Sequence, residues 1–455
     1  QRQRCIRDRA ETKPVELSEY QTFLIGLQGV GPVGGERYDG EDGVMRVIEQ
    51  LEGIALPPSV WESSVLPARV RDYRPAMLDG LLSSGEIVWV GSKTTGSKAK
   101  EPGLVALHPA DSLLLTVQDG EKNGEAPGEP VTLPDAVMAV LAPGGAYHAN
   151  QLAGLTRAAW DASSECVDES TGEILPHPWS DSQFEEALWS LVWQGKVTNS
   201  SFDPLRSLGA SSHAVKAPAR ASRRRVRVRV SVPANMTGLW SAVPHADMRE
   251  ERVAIARVEA LLDRYGVIAP PMIDKERLDG GFSGLYPVLR RMEEHGALMR
   301  GMFVSGCGAA QFASRQTVDA LRACAAEPSA VVLDATDPAN LYGSVIAWPR
   351  TIGGFSIRPA RRSGASVVLR GGRLLAYAVP RSHHLLLAQD ADPALQQACN
   401  ELAYALQRNL RDGGIRGGVT FCDANDEPLT ARGEWSRMLH VAGFVPVPQG
   451  MKLYC

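Results

Sequence analysis

Eight cations and no carboxylate lie between Pro204 and Ala246: Arg206, Lys216, Arg220, Arg223, Arg224, Arg225, Arg227 and Arg229. A cluster of this kind neutralises phosphates without regard to base sequence, and its affinity falls steeply with salt. Arg225, Arg227 and Arg229 alternate with Val226, Val228 and Val230, so a strand here buries the valines and lines its other face with guanidinium groups. A solvated strand beside a loop gives the same pattern without any ligand. A second basic run, Lys93, Lys98 and Lys100, falls in the polar stretch from Ser92 to Gly103. These lysines, with Arg223, Arg224, Arg225, Arg227 and Arg229, are the candidate DNA-binding residues.

Other chemistry is sparse. Asp334 and Asp337 form the best carboxylate pair for general acid–base work, but an Asp before Pro338 more often shapes a turn. The run from Gly91 to Lys98 superficially matches a phosphate-binding loop. Its order is Gly96-Ser97-Lys98, however, where such a loop requires Gly-Lys-Ser/Thr, so the lysine is misplaced and no nucleotide site is expected. His383 and His384 are adjacent and the other histidines are isolated, which gives no metal-ligand spacing. Seven scattered cysteines without a Cys-x-x-Cys pair argue against a disulfide framework or a zinc site, and for a reducing cytosol. No metal or cofactor is expected.

The elements that must position these residues are written in a repeat. Leu78, Leu81, Gly85 and Ile87 recur as Leu188, Leu191, Gly195 and Val197, and again as Leu289, Met292, Gly296 and Leu298. The first two residues of each set share a helix face, and the Gly stands where a left-handed cap ends a helix. A strand follows, Glu86 to Val90 in the first copy. Helix, glycine stop and strand is how the last helix of a winged helix enters its wing, so three copies predict a tandem array. Around them, Ser18 is expected to cap a helix carrying Tyr20, Phe23, Leu24 and Leu27, and Ser182 with Glu185 to box the helix carrying Leu188. The lysine-bearing stretch between Gly91 and Leu104 reads as a wing tip.

From about Ala330 the pattern changes to short strands interrupted by a helix with Leu395, Cys399, Leu402 and Leu406. The expected fold is therefore α+β: tandem winged-helix modules followed by a small β-barrel. Boundaries are placed at 1–130, 131–246 (the module with the basic strand and loop), 247–325 and 326–455, the last being the barrel with its helices. The length accommodates several cores, and a net charge of −4 rules out a uniformly basic wrapper, so nucleic-acid contact must come from local patches. So small a net charge also offers little repulsion between copies, and self-association is expected. The stripe Leu395, Leu402, Leu406 and Leu410 offers either an interface or packing against its own barrel. No apolar run approaches the roughly 20 residues a membrane span needs. The chain starts at Gln1 without Met, and is expected to be part of a longer protein.

Several phrases carry a resemblance. They are Leu66-Pro-Ala-Arg69-Val70 with Tyr73, Tyr286-Pro287-Val288-Leu289, Arg300-Gly301-Met302-Phe303-Val304, Gly308 to Ala313, and Asp334-Ala-Thr-Asp337-Pro338-Ala339-Asn340 running into Tyr342-Gly343 and Trp348-Pro349. Together they resemble the C-terminal region of bacterial Lhr (large helicase-related) proteins. The resemblance implies an ATP-dependent 3′-to-5′ DNA helicase or translocase in DNA repair, whose motor, with its ATP and Mg sites, lies outside these residues. It implies single-stranded DNA or RNA:DNA hybrids as partners, assembly into a tetramer, and a cytoplasmic, nucleoid-associated bacterial protein. It also implies fold kinship with AlkZ/YcaQ-type DNA glycosylases, which carry a Gln-hydrophobe-Gln motif. The nearest match is Leu27-Gln28-Gly29-Val30, with one Gln kept and Val30 where the second belongs. An alternative reading is thus a glycosylase acting on damaged or uracil bases, with Gln28, Asp334 or Asp337 as candidates for its base.

Overall fold

Each repeated glycine does stop a helix. In the computed structural model, helices Pro75–Ser84, Asp181–Trp193 and Gly281–Glu294 run into Gly85, Gly195 and Gly296, whose φ angles are +79°, +73° and +78°. An L-residue with a side chain is strained there, and glycine is not. Strands Ile87–Ser92, Val197–Asn199 and Met299–Gly301 follow. The structure describes residues 13–31, 37–92, 103–115, 132–163, 166–167, 174–175, 178–211, 233–245, 249–278, 280–324, 329–388, 394–412, 418–430 and 433–454.

The chain divides into two compact units. One comprises Gln1–Leu51, Val60–Tyr73 and Glu250–Cys455; the other comprises Glu52–Ser59 and Arg74–Arg249.

The second unit is built on two wing hairpins. Ile87–Ser92 pairs antiparallel with Leu104–Pro109, and Val197–Asn199 pairs antiparallel with Leu239–Ala242, which also pairs with Tyr147–His148. Trp89, Trp189 and Trp240 are fully buried, Trp189 meeting Trp240 edge-on at 5.6 Å. The helix Asp181–Trp193 starts at Ser180, whose hydroxyl accepts from Gln183 N at 3.2 Å; Ser182, the expected cap, lies within the first turn. Ser180 alone has the extended backbone a cap requires.

In the first unit, helix Leu17–Leu27 begins after Glu16, and the Glu16 amide donates to Glu19 Oε2 at 2.7 Å. Ser18 lies inside the helix and caps nothing. Helices Gly40–Gln50, Glu250–Tyr265, Pro270–Glu276 and Gly281–Glu294 accompany it, with strands Val267–Ile268, Gln311–Ala313 and Met299–Gly301 forming one small sheet. Tyr20, Phe23, Leu24, Leu261, Leu285 and Leu289 share its core.

After Ala330, six strands pair in the order Val331–Asp334, Ser366–Arg370, Arg373–Val379, His384–Leu387, Asp423–Ala424, Glu427–Pro428. Among the described residues this sheet does not close on itself. Its first edge is occupied otherwise: the Asp334 amide donates to Ser64 Oγ at 3.2 Å, on the π-helical turn Trp61–Val65. Val419–Phe421, Gly450–Leu453 and Val445–Val447 make a separate three-stranded sheet. Helix Ala394–Asp412 buries Leu395, Cys399, Leu402 and Leu406 in the core of this domain, so these residues pack on their own domain; the Leu410 side chain lies outside the described ones. Among the described residues no helix is long and apolar enough to cross a membrane.

Candidate functional site

The turn after the π-helix leaves Arg69 with no solvent contact, which a guanidinium tolerates only if most of its donors are used. Four of the five are. Nη2 donates to Asp337 Oδ1 at 2.8 Å and to Gln28 Oε1 at 3.0 Å; Nη1 donates to Asp337 Oδ2 and to the Val65 carbonyl, both at 3.0 Å; Nε is buried without a partner among the described residues. Asp337 is equally buried, and the fork-to-fork pairing is the geometry that offsets desolvation of two charges. Gln28 completes the junction by donating Nε2 to the Arg264 carbonyl at 3.0 Å.

Asp337 belongs to a loop, Asp334 to Tyr342, that is held at nearly every residue. Asp337 Oδ1 accepts from Ala339 N and Asp334 Oδ1 from Thr336 N, each at 2.8 Å, so both carboxylates shape the turn. Asp334 Oδ2 accepts from Gly364 N at 2.8 Å; burial raises this carboxyl's pKa, and the bonds from Thr336 and Gly364 oppose the shift. Gln21 donates to the Ala339 carbonyl at 2.7 Å and accepts from Leu341 N at 2.8 Å. The Arg361 guanidinium donates to the carbonyls of Asn340 at 2.6 Å and Thr336 at 3.0 Å. Lys275 donates to the Pro338 carbonyl at 2.7 Å, with its ammonium 5.3 Å from the Tyr265 ring. Burial, then repulsion from Arg361, pulls the Lys275 pKa down to about 7. Glu276 takes Arg264 Nη1 at 2.7 Å and the Tyr265 hydroxyl at 2.5 Å.

Of the three candidate bases, Gln28 and Asp337 therefore meet on one guanidinium, while Asp334 turns to Thr336 and Gly364. A general base needs reach to a reacting proton. Gln28 and Asp337 have no exposed surface, and Asp334 is 9% exposed. The arrangement ties helix Leu17–Leu27, the π-helical turn, helix Pro270–Glu276 and the sheet domain into one body. Arg69, Lys275, Glu276 and Arg361 were not singled out from sequence for any role. The available signal was an Arg set between the buried Leu66, Ala68 and Val70. Among the described residues no cluster of His, Cys, Asp or Glu could hold a metal ion.

Lys93, Lys98, Lys100, Arg223, Arg224, Arg225, Arg227 and Arg229 lie outside the described residues. The structure fixes where their segments depart. The lysines fall between paired strands Ile87–Ser92 and Leu104–Pro109, and the arginines between paired strands Val197–Asn199 and Leu239–Ala242. Both basic segments are thus insertions of wing hairpins. The hairpins themselves are firmly seated: Thr198 Oγ1 donates to the Trp89 carbonyl at 2.8 Å, and Trp89 Nε1 donates to the Ser201 carbonyl at 3.3 Å.

Two family models match the chain, over residues 15–110 and 247–332, each described as the winged-helix domain of the large helicase-related protein. The Lhr helicase/uracil glycosylase of Escherichia coli K12 is 37% identical over 477 residues, covering 97% of this chain and 29% of that protein. The Lhr helicase/probable uracil glycosylase of Mycolicibacterium smegmatis is 37% identical over 408 residues, covering 86% of this chain and 25% of that protein. The chain thus spans less than a third of the length of these curated relatives. Among solved structures, the Streptomyces sahachiroi DNA glycosylase AlkZ is similar with a TM-score of 0.51, at 14% identity, covering 89% of this chain and 98% of that one. At that identity the likeness is one of fold.

Proposed function

Because this chain belongs to the Lhr (large helicase-related) family, we propose that it is the DNA-binding and self-associating C-terminal part of an ATP-dependent 3′-to-5′ DNA helicase or translocase that serves DNA repair. The observation that carries the reading is the position of the basic segments: both interrupt a wing hairpin, the element of a winged helix that projects beyond its core. A hairpin rooted by buried tryptophans can present cation-rich insertions to phosphates while its core stays unchanged. The ATP and Mg sites of such a protein belong to its motor, and this chain alone is expected to bind DNA without hydrolysing ATP. In the whole protein the DNA would be single-stranded or in an RNA:DNA hybrid, in the bacterial cytoplasm and nucleoid. Assembly of the chain would be a closed homo-oligomer, a tetramer by family resemblance, and light scattering at micromolar concentration would report a mass several times that of one chain; a monomer would defeat that part.

The test of DNA binding is fluorescence anisotropy at low and moderate salt. Replacing Arg225, Arg227 and Arg229 together by Ser should weaken binding and reduce the slope of log affinity against log salt by about 2 to 3. Affinity that ignores salt, or survives the triple substitution, would sink the reading.

The printed names of the two relatives favour a second reading, uracil excision. Uracil-containing DNA treated with the chain and then alkali would show strand breaks, and these should disappear in Asp334→Asn or Asp337→Ala variants that retain their folded circular dichroism. Absence of breaks with the unaltered chain refutes it. The burial of Gln28 and Asp337 weighs against those two residues as its base.

A further inference from the structure

Between Asp337 and Asp390 the chain carries seven arginines and no carboxylate. The stretch forms the middle strands of the six-stranded sheet and a strap, Phe355 to Gly364, that is tied across them. At one end the Ser356 amide donates to Asp426 Oδ2 at 2.7 Å, in the turn between the last two strands. Midway, the Tyr377 hydroxyl on the third strand accepts from the Ala360 amide at 3.3 Å and donates to the Ala360 carbonyl at 3.0 Å. At the other end the Gly364 amide donates to Asp334 Oδ2 at 2.8 Å, on the first strand. The four to five strand spacings between these anchors make about 19–24 Å, and the eight residues from Ser356 to Gly364 reach about 26 Å when extended. The strap is drawn nearly straight.

An extended segment turns alternate residues to opposite sides, and the burial here follows that rule. Phe355, Ile357, Pro359 and Arg361 are half-buried, while Ser356, Arg358, Ala360 and Arg362 are exposed. Arg361 is taken up by the carbonyls of the Asp334 to Tyr342 loop. Arg358 and Arg362 stand outward, four residues and so about 13 Å apart, with the small Ala360 between them. Among the described residues neither has a carboxylate partner. Asp426 and Asp334, the carboxylates the strap does touch, accept from its own amides. Arg362 donates Nε to the Tyr377 hydroxyl at 3.1 Å, which fixes the guanidinium and leaves both Nη groups for a ligand. Arg350, also exposed, joins this side of the sheet, because Trp348 meets the Tyr377 ring edge-on at 5.6 Å.

Guanidinium groups on a backbone anchored at three points need little further ordering to bind an anion. Each offers paired N–H donors that match a phosphate. Set along a line, they fit a polyanion whose charges repeat along its length. We propose that this strap is a nucleic-acid contact in its own right, Arg358 and Arg362 each holding a phosphate of one strand. It rests on the DNA-binding reading above and adds a site in the compact unit that lacks the two basic wing insertions.

The test is fluorescence anisotropy of the full chain with a labelled single strand and a labelled duplex over a salt series. Arg358→Gln with Arg362→Gln should lower the slope of log affinity against log salt by about 1.4 for the single strand and about 1.8 for the duplex. At about 0.1 M salt that is a loss of roughly 25-fold or more. Ala360→Glu keeps both arginines and all three anchors, and should weaken binding by setting a carboxylate between the phosphates. It decides the matter alone if the double variant loses exchange protection across 355–388. Arg290→Gln removes an exposed arginine that is paired with Glu294, and should leave affinity within about twofold. An unchanged slope in the folded double variant, or unchanged affinity in Ala360→Glu, overturns the proposal and leaves DNA binding to the wings. A loss matched by Arg290→Gln reports net charge alone and overturns it too. Polyglutamate that displaces a fluorophore placed on the strap, where DNA does not, would make the strap a protein-docking surface and overturn the assignment. No binding of either DNA by the unaltered chain overturns the DNA-binding reading and this proposal with it.

Discussion

Replacing Arg69 by Met tests the buried junction most directly. The substitution keeps an apolar stem of similar length and deletes four hydrogen bonds, two to Asp337, one to Gln28 and one to Val65. Asp337 would then be a carboxylate without solvent contact, holding only its bond from Ala339 N among those described. Breaking a buried ion pair on one side costs about 3–5 kcal/mol. The stranded Gln28 oxygen adds about 1–3 kcal/mol, although contributions within one network do not simply add. A loss of about 4–6 kcal/mol is expected, a large share of the roughly 5–15 kcal/mol of a typical domain. Hydrogen exchange by mass spectrometry on the full chain would follow peptides covering 60–73 and 329–345. Protection there should fall about a thousandfold, at 1.4 kcal/mol per tenfold. Adding Asp337→Leu should restore at least half of the loss, since apolar replacement of both partners is often neutral. A fall of less than tenfold, or a double variant as unprotected as the single one, would refute the reasoning.

Two further outcomes are expected. Gly91→Val should destabilise the second unit by about 1–3 kcal/mol through overpacking, since a Cβ added there would come within 2.6 Å of the Val192 carbonyl oxygen. Exchange protection should be lost in the wing strands but not in the sheet domain. Lys275→Met should raise stability most near pH 6 and progressively less by pH 9. The Lys275 pKa lies near 7 in the folded chain, against about 10.4 unfolded, so the unfolded state binds the extra proton and wild-type stability rises across that window. Thermal midpoints of both proteins at the two pH values check the sign; an advantage that grows with pH would show that the ammonium is stabilising where it sits.

The parts of the fold readable from sequence are those governed by local rules. Gly85, Gly195 and Gly296 announce their helix ends because the required backbone conformation is one that side chains resist. The strands after Ala330 and the helix around Leu402 were legible from periodicity. Caps were less so: Ser180-x-x-Gln183 and Ser182-x-x-Glu185 fit the same pattern, and only backbone conformation chooses between them. Strand pairing was not legible either, because the element covering the Val331–Asp334 edge, the turn carrying Ser64, lies 270 residues earlier. The same distance problem hid the junction. Asp337 and Gln28 were each visible as polar residues with a possible role, but the Arg69 that joins them is 268 residues from one and 41 from the other. Nothing local marks an arginine as the partner of an aspartate in another domain.

That separation has a consequence for synthesis. The first compact unit is assembled from three stretches of chain, and the stretch Arg74–Arg249 between its second and third belongs to the other unit. At about 5–20 residues per second, Arg69 leaves the ribosome on the order of 15–50 s before Asp337 does. During that interval its helix, the π-helical turn and the Trp61 it will bury have no counterpart to close against, whereas the tryptophan-rich unit can finish first. Nascent chains therefore pass through a state with one unit complete and the other waiting, and a product truncated anywhere before the Asp334 to Tyr342 loop remains in it. Pulse-labelled translation intermediates should accordingly resist proteolysis first across the wing hairpins, and across residues 13–31, 37–51 and 60–73 only once the last stretch has emerged.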